Sequence, residues 1–274
     1  NWIFTAITDC IAWDVLPHDL FQRLFRQDLL VATLFRNYLL AQRILRSFNL
    51  TTISRPKLPK NTHQHPMWKI WDQVMESFLA RLKVYLSSSK QQQHEQQNKE
   101  SSSSTSHTLS KKVEFPLQQS FFTDQLKAID LWLIHTKHYH FQGLIQQPPL
   151  LQLPVLLQVL LSPSYRLRAL QLLAMLVDQG PWAIQQALSV GIFPYILKLL
   201  QIPDRELRDV LIFIWAKILA FDPQTKYDLV KADYCQYFLV HFMQLKEIQE
   251  KVSKENANYK GPANTPRIGL KRLK

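Results

Sequence analysis

Glycine is scarce in this chain of 274 residues. It occurs five times, never before Gly143, and no two glycines are close enough to form a phosphate-cradling loop. Neither the G-x-G-x-x-G pattern nor the P-loop pattern occurs, which excludes the common nucleotide-binding motifs. Because so few residues take a positive φ angle at low cost, a fold with many tight β-turns is disfavoured and long helices are favoured.

Cysteine is also rare, with Cys10 and Cys235 alone. Two cysteines are too few for a disulfide scaffold or, by themselves, for a structural zinc site, so we expect a reducing compartment. No cofactor is expected. No apolar run approaches the roughly 20 residues of a membrane span, so direct membrane insertion is not expected. The chain starts at Asn1 without a methionine and is expected to be a fragment.

Positive charge is in excess, with 33 Lys and Arg against 21 Asp and Glu, a formal net charge of +12. Seven of these cations and one acid fall in residues 251–274, which lose hydrophobic periodicity and are interpreted as a basic flexible tail. A module that binds nucleic acid is therefore an alternative function. Tyr259 is the one aromatic residue of the tail available to stack on a base, so no nucleic acid partner is expected.

The first third of the chain contains helical patterns and a connector. Residues 2–15 have no clean period and are left undecided between strand and loop. Residues 17–48 indicate two amphipathic helices, the second capped by Asp28. The apolar positions of these two helices are Leu20, Phe21, Leu24, Phe25, Leu30, Leu34, Ala41 and Leu45.

Residues 51–86 are predicted to be a proline-containing connector followed by a helix. The helix carries a packing face at helical spacing, formed by Trp68, Trp71, Met75, Phe78, Leu82 and Tyr85. Residues 87–112 are almost wholly polar and predict a disordered insert, because they bury too little apolar surface to offset the entropy of ordering. A further helix over residues 117–140 should bury Phe121, Phe122, Leu126, Ile129 and Leu133.

Residues 113–250 indicate an array of helical repeats. Proline and glycine recur between apolar segments that are short, short and long in turn. When the sequence is shifted along itself so that Pro181 lies on Pro223, Tyr195 also lies on Tyr237. This shift lies within the period of armadillo and HEAT repeats, about 40 to 47 residues, which arises because one unit buries its apolar face only against the next. We predict an all-α solenoid with residues 181–221 as one complete unit and Asp204 as the N-cap of its long helix.

Sites for chemistry are few. His135, His138 and His140 suggest a metal site, but a solvated helix end is favoured. Cys10 beside Asp9, with His18 nearby, suggests a nucleophile, but a buried apolar thiol is favoured because no oxyanion turn accompanies it. With no catalytic motif present, we expect neither an enzyme nor a bound metal.

Arg166 and Arg168 lie at the start of an apolar helix, two residues apart and so on different faces. Two interpretations stay open. Either they form ion pairs between helices, with a residue such as Asp178 or Glu206, or they hold carboxylates of a docked peptide.

Several segments resemble the raptor family, the adaptor subunits of target-of-rapamycin (TOR) complex one. They are NWIFTAITD at 1–9, LFQRLFRQDLL at 20–30, LLQVLLS at 156–162, RLRAL at 166–170, GPWA at 180–183, ALSVGIFPY at 187–195 and FIWAK at 213–217. The resemblance implies that residues 1–50 are the helical end of a caspase-like domain and that an armadillo solenoid begins after them.

The resemblance further implies a non-catalytic adaptor that binds the TOR kinase and recruits substrate proteins carrying a short Phe-and-acid motif. It implies a cytoplasmic location, with recruitment to the lysosomal or vacuolar surface through partners. The peptide would dock where the caspase-like domain meets the first armadillo helices. Arg166, Arg168, Asp178 and Trp182 lie in the corresponding stretch and are the predicted peptide-binding residues.

Overall fold

A computed structural model describes residues 1–55, 57–59, 61–97, 117–140, 150–202, 204–231 and 235–258. Every long regular element in these ranges is a helix, which confirms the predicted all-α class. The helices are α1 Trp2–Val15, α2 His18–Gln22, α3 Leu29–Ser47, α4 Met67–Gln97, α5 Leu117–His140, α6 Leu153–Val159, α7 Pro163–Val177, α8 Pro181–Ser189, α9 Phe193–Leu199, α10 Arg205–Phe221, α11 Pro223–Lys231 and α12 Cys235–Asn258. A π-helical turn, Arg23–Gln27, follows α2, and a 3-10 turn, Thr62–Gln64, precedes α4.

Helix α1 corrects the undecided assignment of residues 2–15 to strand or loop. It is a helix from Trp2 to Val15, and every residue from Ala6 to Trp13 is buried. It contacts α3, α4, α5 and α6. A helix surrounded by other helices is apolar all round, so it lacks the period that identifies a surface helix.

Helix α3 buries a different face from the one predicted. Its N-cap is Asp28, as predicted, whose carboxylate accepts hydrogen bonds from the backbone N–H groups of Leu30 and Val31. The buried residues are Ala32, Phe35, Arg36 and Leu39. Leu30 and Leu34 are 70% and 60% exposed, and Ala41 is also exposed, so the predicted stripe was wrong. The error arose because the true face includes an arginine.

Helix α4 runs further than expected. It continues to Gln97, so residues 87–97 are helical where the sequence predicted disorder, and residues 98–112 lie outside the described residues. Of its predicted packing face, Trp68 is buried, whereas Trp71, Met75, Phe78 and Leu82 are half-buried. Helix α5 has the predicted bounds, and its five predicted core residues are all buried.

The repeat region confirms the predicted spacing of the units. Helices α8, α9 and α10 form the predicted short, short and long unit. The shift that places Pro181 on Pro223 places the start of α8 on the start of α11 and the start of α9 on the start of α12. Asp204 caps α10 by accepting a hydrogen bond from the Glu206 N–H. Helix α12, however, runs unbroken through the position equivalent to the α9–α10 turn.

Helix α12 also corrects the start of the predicted tail. It extends to Asn258, so residues 251–258 are helical, and residues 259–274 lie outside the described residues. One continuous apolar core runs from α1 to α11. Helix α7 lies near its middle and contacts α5, α6, α8 and α10. The N-terminal helices and the repeats therefore share a single core.

Candidate functional site

A buried carboxylate lies where the N-terminal helices meet the repeats. Asp9 of α1 is 6% exposed, and Arg36 of α3 donates to it from Nε over 2.7 Å and from Nη2 over 3.3 Å. The Nη1 atom of Arg26 lies 3.7 Å from Oδ2 of the same carboxylate. A buried charge is tolerated only when it is paired and hydrogen-bonded, and this cluster provides two cations for one acid.

The environment shifts the ionisation of this cluster. Burial raises the pKa of Asp9, and the hydrogen bond and charge of Arg36, followed by those of Arg26, oppose the rise. Burial also lowers the pKa of Arg26, opposed chiefly by Asp9. The guanidinium groups lie over aromatic rings, Arg26 at 4.9 Å from the Phe21 centroid and Arg36 at 5.3 Å from that of Phe25.

Two polar side chains tie the N-terminal segment to helix α8. The side-chain amide of Gln22 donates to the carbonyls of Leu188 and Ser189, each over 2.8 Å, and Arg26 Nε donates to the carbonyl of Val190 over 2.9 Å. The last carbonyls of a helix lack partners within the helix, and a cation there also complements the helix dipole. Segments that are far apart in the sequence are thus joined through one helix end.

Gly191 allows this close approach. Its φ angle is +83°, a left-handed conformation that favours glycine. A Cβ atom at this position would lie 2.9 Å from Arg26 Cγ and 3.3 Å from Arg26 Cδ. The glycine therefore serves both the turn between α8 and α9 and the packing of Arg26.

An open cavity of about 360 Å³ lies over this cluster, and we name it the junction cavity. Its N-terminal wall is formed by Asn1, Trp2, Thr5, Asp9, Phe25, Arg26, Leu29 and Arg36, and its repeat wall by Pro154, Leu157, Gln158, Leu161 and Tyr195. Two arginines and one aspartate, set among apolar and aromatic side chains, suit a ligand with both an apolar and an acidic group.

Arg166 and Arg168 have partners within the chain. Arg166 donates from Nε to the Leu160 carbonyl over 3.0 Å and from Nη2 to the Leu161 carbonyl over 3.4 Å, at the end of α6. Arg168 Nη2 lies 2.6 Å from Asp130 Oδ2 of α5. The interpretation as an ion pair between helices therefore holds for Arg168, with Asp130 as the partner in place of the suggested Asp178 or Glu206.

The other two predicted residues lie near the end of α7 and the start of α8. Asp178 is paired with Lys217 Nζ of α10 at 2.7 Å. Trp182 packs edge to face on Trp132 of α5 at 6.4 Å, and its buried Nε1 has no hydrogen-bond partner among the described residues. None of the four predicted residues lines the junction cavity, although Arg166 binds the carbonyl of Leu161, which does.

The catalytic and metal interpretations gain no support. Cys10 is fully buried, and burial followed by the charge of Asp9 raises the pKa of its thiol, as in an inert packing residue. His18 stacks on Trp13 at 4.0 Å, and His135 is exposed. The side chains of His138 and His140 lie outside the described part, within which no group of three or more His, Cys, Asp or Glu side chains is placed to hold a metal.

Sequence reasoning missed the central cluster. An aspartate in the middle of an apolar stretch, as at Asp9, is a signal for a buried ion pair. Its partners, Arg26 and Arg36, lie on later elements, with no sequence pattern that connects them to Asp9.

None of the helices in the part of the chain that the structure describes is long and apolar enough to cross a membrane.

These features identify the class of protein. It is an all-α scaffold of stacked helical repeats, joined to an N-terminal helical segment through a buried cluster of arginine and aspartate. No family model matches the chain. It is 52% identical over 239 residues to "Regulatory-associated protein of TOR 2" of Oryza sativa, covering 87% of this chain and 15% of the relative. It is 51% identical to "Protein raptor homolog" of Dictyostelium discoideum, and the match covers 87% of this chain and 14% of that relative.

The likeness extends to fungi and to structure. The chain is 39% identical over 294 residues to "Target of rapamycin complex 1 subunit KOG1" of Saccharomyces cerevisiae, covering 87% of this chain and 18% of the relative. The crystal structure of Chaetomium thermophilum Raptor matches with a TM-score of 0.65 and 46% identity, over 87% of this chain and 19% of that one. The chain belongs to the raptor family, and it spans between 14% and 18% of the length of the curated relatives named here.

Proposed function

We propose that this chain is part of a non-catalytic adaptor in a TOR complex, which binds the TOR kinase and presents substrate proteins to it in the cytoplasm. The supporting relatives are named as regulatory-associated proteins of TOR or as subunits of TOR complex 1. Within the described residues, the buried thiol of Cys10 and the paired charges of the core are typical of a binding scaffold rather than of a catalytic centre.

The junction cavity is the proposed docking place for the substrate peptide. It lies between the N-terminal helices and the first repeat helices, which is where the family resemblance implies docking. Phe25, Leu157 and Leu161 offer an apolar wall for a phenylalanine of the peptide. Arg26 and Arg36 share one Asp9, which leaves a net positive charge for an acidic side chain.

Arg166 and Arg168 remain predicted contributors. Arg166 is half-buried beside Leu161, so a bound peptide would find its guanidinium next to the cavity. Arg168 is 48% exposed in its side chain despite the bond to Asp130. Asp178 follows the C-terminal end of α7 and Trp182 lies in the first turn of α8, and their proposed role is to hold these helices in position through Lys217 of α10 and Trp132 of α5.

Binding of a fluorescent peptide that contains phenylalanine and acidic residues tests the docking proposal. Leu161 is 52% exposed, so Leu161→Glu should preserve the fold while placing a negative charge at the cavity. We expect affinity to fall about tenfold or more, and a peptide with its phenylalanine replaced by alanine to fail to bind. Leu131→Glu, on an exposed leucine of α5 outside the cavity, is the matched control.

Charge reversal of Arg166 and Arg168 is the second variant pair, and it should weaken binding of the peptide. It should also lower thermal stability, because Arg166 donates to the carbonyls of Leu160 and Leu161 and Arg168 pairs with Asp130, so affinity is measured at a temperature where the variants are folded. Equal affinity of wild type and Leu161→Glu would exclude the junction cavity as the docking site.

Co-purification with the TOR kinase tests the adaptor role separately. Failure to recover the kinase would contradict that role even where the peptide binds.

A further inference from the structure

A second, larger pocket lies between the C-terminal half of α3 and the connector that follows it, and we name it the connector pocket. Its volume is about 830 Å³, and it shares no lining residue with the junction cavity. Volumes of this size are typical of small-ligand sites. Nothing in the proposed adaptor role uses this pocket.

The connector pocket carries uncompensated positive charge. Arg46, Arg55 and Lys57 line it, and no Asp or Glu is among its described lining residues. None of these three cations forms an ion pair within the described part of the chain. By contrast, Arg26, Arg36 and Arg43 each form an ion pair with an aspartate. Cations gathered in one concavity repel one another, and a bound anion would relieve that repulsion.

The walls of the connector pocket are held by bonds that need no ligand. Tyr38 Oη and Thr52 Oγ1 lie 3.4 Å apart and join the connector to α3. Ser54 Oγ accepts a hydrogen bond from the Leu58 N–H over 2.9 Å. At the end of the connector, the Trp68 Nε1–H group donates to the Thr62 carbonyl over 2.9 Å. A ligand therefore meets a pre-formed pocket and loses less entropy in ordering it.

We propose that the connector pocket binds a phosphate-bearing ligand. A phosphate group carries up to two negative charges and several acceptor oxygens, which match guanidinium and ammonium donors better than a single carboxylate does. The hydroxyls of Thr51 and Ser54 supply further polar contacts at the pocket wall. Two sources share this chemistry: a soluble polyphosphate and a lipid headgroup, the latter favoured by Ile53, which is 93% exposed at the rim.

Binding of the full chain to two probes separates these sources. The soluble probe is inorganic pyrophosphate, measured by titration calorimetry. The membrane probe is a phosphatidylcholine vesicle with and without phosphatidylinositol bisphosphate, measured by co-sedimentation. The pocket variant is Arg55→Gln with Lys57→Gln, and both side chains are exposed, so the fold should be preserved.

The matched control is Arg81→Gln with Lys83→Gln, at exposed positions of α4 outside the pocket. Both double variants remove two positive charges from the net charge of +12, so the long-range electrostatic attraction falls equally. We expect the pocket variant to weaken binding about tenfold and the control less than about twofold.

The outcomes are decisive in both directions. Weakened pyrophosphate binding by the pocket variant alone supports the site with a soluble source. Weakened vesicle binding by the pocket variant alone, without pyrophosphate binding, supports the site with a lipid source. Binding of neither probe, or equal weakening by the two double variants, overturns the proposal.

Discussion

Arg36 Nε donates a 2.7 Å hydrogen bond to Asp9 Oδ1 and thereby joins α3 to α1 inside the core. Both side chains are at most 10% exposed. A buried ion pair of this kind adds little net stability relative to an apolar pair, but loss of one partner leaves the other charged and unsolvated. The pair therefore specifies how α1 and α3 meet more than it stabilises the fold.

The substitution Arg36→Met tests this relationship. It removes the two hydrogen bonds of Arg36 to Asp9 and leaves the carboxylate with Arg26 at 3.7 Å. We expect the free energy of unfolding to fall by about 3–5 kcal/mol, measured by urea denaturation. The double variant with Asp9→Leu should recover part of the loss, because it removes the unsolvated carboxylate but leaves Arg26 without its acid. If the two changes are additive, the pair is not the source of the effect.

The substitution Gly191→Ala tests the contact between the two segments. Alanine at a φ angle of +83° is strained, and its Cβ atom would lie 2.9 Å from Arg26 Cγ. We expect a loss of about 1–2 kcal/mol in the free energy of unfolding from the backbone conformation, plus a steric contribution. In an Arg26→Ala background the steric contribution disappears, so the cost should be smaller.

Gly180→Ala is the control for that cycle. Gly180 also has a positive φ angle, but the atom nearest to an added methyl group would be Trp182 Cδ1 at 3.9 Å. Its cost should be the same with and without Arg26. If Gly191→Ala lowers the free energy of unfolding equally with and without the Arg26 side chain, the contact between Gly191 and Arg26 is not tight.

His65 predicts a pH dependence of stability. Its Nδ1 accepts from the Met67 N–H over 3.1 Å, which places the ring proton on Nε2, 3.1 Å from Asp14 Oδ2. Burial lowers the pKa of His65 below its usual 6.5, opposed by Asp14. The folded state thus binds fewer protons than the unfolded state, so this contribution to stability is present above pH 6.5 and is lost as the pH falls below it.

Urea denaturation as a function of pH checks the sign. His65→Gln should flatten the decline of the unfolding free energy between neutral and mildly acidic pH, because glutamine does not titrate. His135→Gln, on the exposed surface of α5, should leave the decline as in the wild type. A steeper decline after His65→Gln would reverse the assigned sign.

Asp28 predicts a helix-capping contribution. Its carboxylate accepts hydrogen bonds from two N–H groups at the start of α3. Asp28→Ala should lower the free energy of unfolding by about 1 kcal/mol, whereas Asp28→Asn, which keeps an acceptor oxygen, should cost much less. Asp124→Ala, at an exposed position of α5 where the carboxylate pairs with Lys127, should cost less than about 0.5 kcal/mol.

Local features of the fold were predictable from the sequence. The caps at Asp28 and Asp204, the prolines that open α7, α8 and α11, and the buried face of α5 follow from hydrogen-bonding rules and periodicity within a few residues. The candidate site was not predictable in the same way. An ion pair between helices was one of two interpretations of Arg168, but its partner is Asp130 of an earlier helix and not one of the acids suggested from the sequence, Asp178 or Glu206.

The amino-acid sequence by itself determined that the chain is helical, where most of its helices begin, and that its helical units repeat at an armadillo-like spacing, because these properties depend on contacts within a turn or two and on recurring punctuation. It also determined the family through its long matching segments. The tertiary structure alone decided that α1 is a helix, that α3 turns Arg36 inward, and that Gln22 and Arg26 close the end of α8. Those outcomes depend on which distant surfaces meet, and a buried polar group selects its partner by geometry that no local pattern encodes.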